Sequence, residues 1–285
     1  MQIKGTLIPI GGNEDKGVEK TEQYTLDYIE DGILSRVVRE SGGVDAAIVV
    51  IPTASSIPVE VGENYLAAFS KLGCTNVKVL DIRSKEDADK VSSIAMVKEA
   101  DCVLFSGGDQ SNITTHIRGT ILHSVLQDRY KNDPFVIAGT SAGAMCMSAK
   151  MITRGRGTEV FAKGVVDMGE GMDFIPKLII DSHFIRRGRF GRLAEAIARF
   201  PHLLGIGLAE DTGLVIKNGN EFEIIGSGMV LLFDPGQLTH NNQAILKEGT
   251  PMTMVNLITH VLANGDRFEI DKRVVKVLAI DAPFV

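Results

Sequence analysis

The sequence has little cysteine and no long hydrophobic segment. Its three cysteines, Cys74, Cys102 and Cys146, are an odd number without a CxxC spacing, and each lies in or beside an apolar run. This pattern argues against a disulfide framework and predicts buried thiols in a reducing compartment. No apolar run approaches the ~20 residues that a membrane-spanning helix needs, so we expect no membrane segment.

Basic residues are also too few to suggest a polyanionic partner. Lys and Arg total 30 against 36 Asp and Glu, for a formal net charge of -6, and there is no basic tail. This balance argues against binding to nucleic acid or to an anionic membrane, and favours small-molecule or peptide chemistry. The N-terminus lacks the basic and apolar regions of a secretory signal, so we expect a cytoplasmic location.

The first half of the chain alternates short β-rich runs with longer amphipathic segments. Continuous apolar runs are typical of strands covered on both faces, so the pattern predicts βα units and a mostly parallel sheet flanked by helices. The predicted strands are residues 7–10, 46–51, 77–80, 102–105 and 135–138, and the predicted helices are residues 25–41, 59–72 and 112–127.

The pattern changes after about residue 205. The short runs 214–216, 221–225 and 229–233 are separated by Gly and Asn turns, which favour hairpins. We therefore expect an antiparallel extension at one side of the sheet, followed from about Gly249 by one helix and a terminal strand. With no repeat, low-complexity tract or Pro/Ser-rich linker, residues 1–285 are predicted to form one domain.

The segment Gly139-Thr140-Ser141-Ala142-Gly143 follows the predicted strand 135–138. A serine between two glycines at a strand-to-helix turn can be held in a strained backbone geometry, with its hydroxyl raised at the edge of a parallel sheet. This makes Ser141 a candidate nucleophile. The alternative is a turn whose serine caps the following helix.

A nucleophilic serine needs a base and an oxyanion hole. His183 ends the strand-like run 178–182, as Ser141 ends its own, and is the preferred base; His116 is the second candidate. The N–H groups of Gly108, in a glycine loop after strand 102–105, and of Ala142 are candidate oxyanion donors, although the loop could simply turn the chain. No Cys/His set has metal-ligand spacing, so no metal or cofactor is predicted.

Five segments of the chain carry a resemblance to a known family. In chain order they are Gly11-Gly12-Asn13-Glu14-Asp15-Lys16, Gly107-Gly108-Asp109-Gln110, Gly139-Thr140-Ser141-Ala142-Gly143-Ala144, Asp181-Ser182-His183-Phe184 and Gly207-Leu208-Ala209-Glu210-Asp211-Thr212. These segments, in this order, resemble those of cyanophycinases, and the resemblance extends over about residues 5 to 235. Cyanophycinases are serine peptidases of the family that also contains the aspartyl dipeptidase peptidase E.

The resemblance implies a fold similar to the class I glutamine amidotransferases, a flavodoxin-like three-layer sandwich, with serine as nucleophile in place of cysteine. It implies an exopeptidase that acts on cyanophycin, a poly-aspartate chain with arginine joined to each β-carboxyl, and releases β-aspartyl-arginine dipeptides. It also implies a homodimer and no cofactor.

By motif position, the resemblance implies Ser141 as nucleophile, His183 as base and Glu159 as the acid that orients the base. Arginines can bind substrate carboxylates in a bidentate manner, and Glu210 resembles an acidic residue that meets a substrate guanidinium. Without the resemblance, the arginines from 186 to 199 could equally form a solvated helix face. The substrate-binding residues implied by matching positions are Gln110, Asp181, Ser182, Arg187, Arg189, Arg192 and Glu210.

One position departs from the family pattern, since Ser182 stands where cyanophycinases commonly have glutamine. The shorter side chain leaves room for water or for a changed substrate contact. Two alternatives to cyanophycin hydrolysis therefore stay open: an aspartyl or isoaspartyl dipeptidase, and a peptide-binding protein without turnover.

Overall fold

The computed structural model describes residues 3–17, 24–155, 161–279 and 282. Within these ranges the strands, in chain order, are β1 (Thr6–Ile10), β2 (Ile48–Ile51), β3 (Val77–Val79), β4 (Cys102–Phe105), β5 (Val136–Thr140), β6 (Lys150–Gly155), β7 (Val166–Glu170), β8 (Leu178–Asp181), β9 (Leu204–Leu208), β10 (Thr212–Lys217), β11 (Glu221–Gly226), β12 (Val230–Asp234), β13 (His240–Asn241), β14 (Met254–Val255), β15 (Ile258–Leu262), β16 (Arg267–Glu269) and β17 (Val274–Lys276).

Helices connect the strands of the first half and one pair of the second half. They are α1 (Ile33–Glu40), α2 (Pro58–Lys71), α3 (Lys85–Ala88), α4 (Val91–Glu99), α5 (Gln110–Ile117), α6 (Ile121–Asn132), α7 (Ala142–Met145) and α8 (Phe190–Arg199). No helix in the described ranges is both long enough and apolar enough to cross a bilayer.

The main sheet has nine strands in the order β17-β16-β11-β10-β1-β5-β4-β2-β3. The strands β1, β5, β4, β2 and β3 pair in parallel, so the predicted parallel sheet is confirmed. Side chains of β1 and β2 alternate between two apolar clusters, with Ile8 and Val50 packed against α1 and α2, and Leu7 and Val49 on the opposite face. Burial on both faces explains why these strands are apolar throughout.

The antiparallel extension is confirmed in part. β10 pairs with β1 and with β11, and the turn between β10 and β11 holds Asn218 and Gly219 at φ 57° and 61°, the conformation of a tight hairpin. β16 and β17 complete this side of the sheet. The run 229–233 does not join the extension, because the chain leaves the sheet at Gly226, whose φ is 98°.

That run becomes β12 in a second, four-stranded sheet with the order β15-β12-β9-β8. β8 and β9 are parallel neighbours, and Asp181 at the end of β8 is in register with Gly207 of β9. One face of this sheet, including Ile180 and Ile206, shares the apolar cluster that also contains Leu7 of β1. The other face packs against α8. The second sheet therefore lies beside the parallel sheet and brings a second set of strand ends to the site.

Two predicted helices have different bounds in the structure, and a third predicted helix is wrong. The predicted helix 25–41 begins only at Ile33, because Gly32 before it is extended at φ -61° and ψ 153°. The predicted helix 112–127 is two helices, α5 and α6, separated at Gly119, whose φ is 79°. The helix predicted after Gly249 is absent from residues 249–279, which form short strands; β15 alternates in burial, and Gly265 at φ 84° turns the chain back toward β16.

Candidate active site

Ser141 occupies a sharp turn between β5 and α7. Its φ of 53° and ψ of -107° lie outside the regions that L-residues ordinarily occupy, and its N–H donates to the Ile10 carbonyl at 2.8 Å. Although Ser141 is at the N-cap position of α7, its side chain makes no capping hydrogen bond. The helix-cap interpretation is therefore wrong, and the hydroxyl lines a cavity instead.

The glycine loop after β4 lies against this turn. A Cβ on Gly107 would lie 4.0 Å from the Ser141 Oγ. Gly108 has a φ of 143°, and a Cβ there would lie 2.0 Å from the Ala54 carbonyl oxygen, so only glycine fits. Among the described residues, the N–H groups of Gly108 and Ala142 donate to no protein acceptor. Both N–H groups are thus without a protein acceptor in the described part of the chain, and their role as oxyanion donors stays a prediction.

His183 directly follows Ser182 at the end of β8 and adopts a left-handed φ of 47°. Its N–H donates to the Gly11 carbonyl at 2.8 Å, and its ring packs so tightly on Gly12 that a Cβ there would lie 2.5 Å from the Nε2 atom. Ser141 and His183 line the same cavity of about 440 Å³. The structure thus brings the two predicted residues to one cavity, although they follow strands of different sheets.

Among the described residues, Glu210 is the acid that contacts His183. Its Oε1 atom lies 2.8 Å from the Nδ1 atom of His183, and it also accepts a hydrogen bond from the Asn13 amide at 2.9 Å. Its Oε2 atom accepts from Arg186 at 3.1 Å. When Nδ1–H donates to the carboxylate, Nε2 carries the lone pair that a general base needs. Glu159, the acid implied by the resemblance, lies outside the described residues.

The sequence contains a pattern that predicts the contact between Glu210 and His183. The run Leu-Gly-Ile-Gly-Leu at 204–208 forms β9, and Glu210 follows it closely, as His183 follows β8. Because β8 and β9 are parallel neighbours, the residues after them meet at one edge. The structure also pairs Glu210 with a guanidinium of the chain itself, Arg186, and its role toward a substrate guanidinium stays a prediction.

Burial and hydrogen bonding set the charge states of this pair. Burial lowers the pKa of His183 below its ordinary value of 6.5, and the hydrogen bond that its ring donates to Glu210 opposes that shift only in part. Burial acts to raise the pKa of Glu210, but hydrogen bonds from His183 and Arg186 outweigh it and leave that pKa below 4.5. At neutral pH the pair is therefore a neutral imidazole beside a carboxylate.

A second cavity, of about 340 Å³, adjoins Ser141 and is lined by arginines. Asp181 is fully buried and accepts hydrogen bonds from Arg189 at 3.0 Å and from Arg192 Nε at 2.6 Å. Burial lowers the pKa of Arg189 to about 10. A solvated helix face is therefore the wrong interpretation for Arg189 and Arg192, whereas Arg187 lines both cavities and, among the described residues, has no ion pair.

The remaining predicted residues are divided between this second cavity and other parts of the molecule. Gln110 lines the cavity and donates its amide to the Ile152 and Thr153 carbonyls at 2.8 and 2.9 Å. The Ser182 Oγ atom is 3.5 Å from the Ser141 Oγ atom. His116, the second candidate base, lies on α5 and lines neither cavity. In the described ranges, no group of three or more His, Cys, Asp or Glu side chains could hold a metal ion.

The model of peptidase family S51 matches residues 21–225. The chain belongs to peptidase family S51. It is therefore a serine peptidase, and the resemblance read from the five segments is confirmed at the level of the family.

Cyanophycinases and one solved peptidase are similar to the chain over nearly its whole length. It is 35% identical over 272 residues to the cyanophycinase of Trichormus variabilis, covering 95% of this chain and 88% of the relative. It is 34% identical over 266 residues to that of Geminocystis herdmanii, covering 93% and 94%. A peptidase from an acI-B1 Actinobacterium shares the fold, with a TM-score of 0.59 and 20% identity, over 92% of this chain and 98% of that one.

Proposed function

We propose that this S51 peptidase hydrolyses cyanophycin as a serine exopeptidase and releases β-aspartyl-arginine dipeptides. The observation that carries the proposal is the pair of cavities that meet at Ser141. One contains the His183 imidazole, held by Glu210, and the other is lined by arginines beside the buried Asp181. The similarity to cyanophycinases at 35% and 34% identity supports the same substrate.

In the proposed mechanism, His183 Nε2 takes the proton of the Ser141 hydroxyl as the Oγ atom attacks the carbonyl carbon of an aspartyl unit. The N–H groups of Gly108 and Ala142 bind the oxyanion that forms. The C–N bond then breaks, the imidazolium gives its proton to the leaving amine, and an acyl-enzyme remains. Water then attacks the carbonyl carbon of the ester while His183 takes its proton. The bond to Ser141 Oγ breaks, the imidazolium returns the proton to Ser141, and the acid product leaves. Glu210 orients the imidazole and stabilises its charged form.

Each cyanophycin unit is zwitterionic, because arginine joined through its α-amino group keeps a carboxylate and a guanidinium. Arg187, which has no ion pair among the described residues, is the proposed contact for a substrate carboxylate. Gln110, Arg189 and Arg192 shape the same cavity, while Asp181 neutralises part of its positive charge. Ser182 is proposed to contact substrate next to the nucleophile.

The direct test is release of the dipeptide from purified, insoluble cyanophycin. The wild-type protein is expected to release β-aspartyl-arginine, and Ser141→Ala to lose this activity by about 10⁴-fold or more. Ser227→Ala is the matched control, because Ser227 is a hydroxyl outside both cavities that bonds Asp211. If Ser141→Ala released dipeptide at the wild-type rate, the nucleophile assignment would be wrong.

The alternative within the family is an aspartyl or isoaspartyl dipeptidase, which the short Ser182 side chain favours because it leaves space beside Ser141. A panel of α- and β-aspartyl dipeptides, assayed beside cyanophycin, separates the two activities. If the dipeptides were hydrolysed and cyanophycin were not, the dipeptidase would replace the present proposal. A single domain over residues 1–285, a homodimer and a cytoplasmic location stay predictions.

A further inference from the structure

The first motif of the sequence contains a buried charge that the proposed mechanism does not use. Glu14 is only 2% exposed, and its side chain accepts hydrogen bonds from Thr140, Tyr65 and Lys16. The Thr140 Oγ1 atom lies 2.6 Å from the Glu14 Oε2 atom, and the Lys16 Nζ atom lies 2.9 Å from Oε1. A carboxylate in this position costs free energy to bury unless its partners are well placed, so its occurrence in the wall of the cavity that contains Ser141 and His183 calls for a function.

Glu14 stays ionised in this environment. Burial acts to raise its pKa, but Lys16, Thr140 and Tyr65 outweigh that effect and hold the pKa below its ordinary value. The Lys16 ammonium also lies 4.9 Å from the centre of the Tyr65 ring. Both oxygens of the carboxylate thus accept hydrogen bonds from the protein itself. Glu14 is therefore suited to hold structure rather than to take a proton or to bind a ligand.

The structure that Glu14 holds is the turn of the nucleophile. Thr140 is the last residue of β5 and the neighbour of Ser141, whose backbone is in a strained, left-handed conformation. Such a conformation persists only when the surroundings fix it. Two hydrogen bonds do so: the Ser141 N–H donates to the carbonyl of Ile10, the last residue of β1, and the Thr140 hydroxyl donates to Glu14, in the segment after β1.

We propose that Glu14 is a positioning residue for the nucleophile and acts through the hydroxyl of Thr140. The anion fixes the last side chain of β5 and so the direction in which the Ser141 hydroxyl points. Lys16 and Tyr65 keep the carboxylate in place and compensate its charge. The inference rests on the proposed role of Ser141 as nucleophile, and it assigns a role to Glu14 that is separate from substrate contact.

The test measures the reactivity of Ser141 independently of cyanophycin, as the second-order rate of labelling by a fluorophosphonate. Thr140→Val keeps the branched shape and removes the hydroxyl, and Thr140→Ser restores it. We expect Thr140→Val to lower the labelling rate, and kcat per labelled site, by about 10-fold to 100-fold with little change in KM, as for loss of a hydrogen bond to a charged group. Thr140→Ser is expected to return both within about 3-fold of wild type.

Thr120→Val is the matched control, because Thr120 is also buried and its hydroxyl bonds the Ile117 carbonyl at 2.7 Å, away from both cavities. It is expected to lower the melting temperature and leave the labelling rate unchanged. Glu14→Gln should resemble Thr140→Val; if it fails to fold, Thr140→Val still decides. A wild-type labelling rate in Thr140→Val would overturn the inference. Normal labelling of the wild type without dipeptide release would instead overturn the proposed substrate and leave this test intact.

Discussion

Ser141 and His183 follow strands of two different sheets, and the two regions are held in different ways. Ser141 follows β5 of the nine-stranded sheet, and it lies against Ile10 and the glycine loop through main-chain contacts. His183 follows β8 of the four-stranded sheet, and the side chain of Glu210 holds its ring by a hydrogen bond. The nucleophile therefore depends on the backbone geometry of its turn and on the contact of Thr140 with Glu14, whereas the base depends on the protonation of its own ring and on the charge of Glu210. The two regions should respond differently to substitution.

The largest difference is expected from removing the charge beside the base. Glu210→Gln should lower kcat by about 10³-fold to 10⁴-fold, because the amide holds the wrong tautomer and does not stabilise the imidazolium. Glu159→Gln is the matched comparison, and we expect it to stay within a few-fold of wild type. Steady-state kinetics on cyanophycin measures both. A larger loss in Glu159→Gln would move the acid from Glu210 to Glu159.

The free energy of unfolding should also depend on a buried charge, that of Asp181 at the end of β8 in the second sheet. Asp181→Asn leaves the buried guanidinium of Arg192 and that of Arg189 without their anion, so the free energy of unfolding should fall by about 3–5 kcal/mol. Urea denaturation measures the change. Asp271→Asn, which breaks the exposed pair with Lys177, should change it by less than about 1 kcal/mol. Equal effects in the two variants would contradict the prediction.

A smaller effect is expected from Asn13, which links the two regions. Its amide donates to the same Glu210 oxygen that contacts His183, and its φ of 49° is accessible to glycine. Asn13→Gly should therefore lower kcat by about 10-fold through loss of the hydrogen bond alone. Asn218→Gly, at a similar φ of 57° in the turn after β10, should leave kcat unchanged. A wild-type kcat in both variants would contradict a role for the hydrogen bond between Asn13 and Glu210.

The smallest effect is expected on the pH dependence of kcat/KM. His183 acts as a base only when neutral, and burial lowers its pKa, so the acid limb of kcat/KM should have its midpoint below 6.5. Arg187 contributes to the lowering, so Arg187→Gln should move the midpoint to higher pH. Lys217→Gln removes a positive charge outside the cavities and should not move it. A midpoint above 6.5 in the wild type would contradict the direction of the shift.

The nucleophile region could be predicted from the sequence more completely than the base region. The run before Ser141 and its flanking glycines are adjacent in the chain, so local pattern was enough to place the turn. The partner of His183 could not be found in that way, because Glu210 is 27 residues away and meets it only through the pairing of β8 with β9. The same limit applies to the second sheet, whose strand β12 pairs with β9 and β15 rather than with the strand before it.

Around the connection from β8 to β9, substrate binding and proton transfer depend on different structural elements. The connection runs through α8, which carries Arg192 into the arginine-lined cavity, whereas His183 and Glu210 follow the carboxyl ends of β8 and β9. Sheet hydrogen bonds, rather than the helix, fix the distance between those ends. Changes in the sequence or length of the crossover can therefore alter which substrate is held without disturbing the groups that transfer the proton.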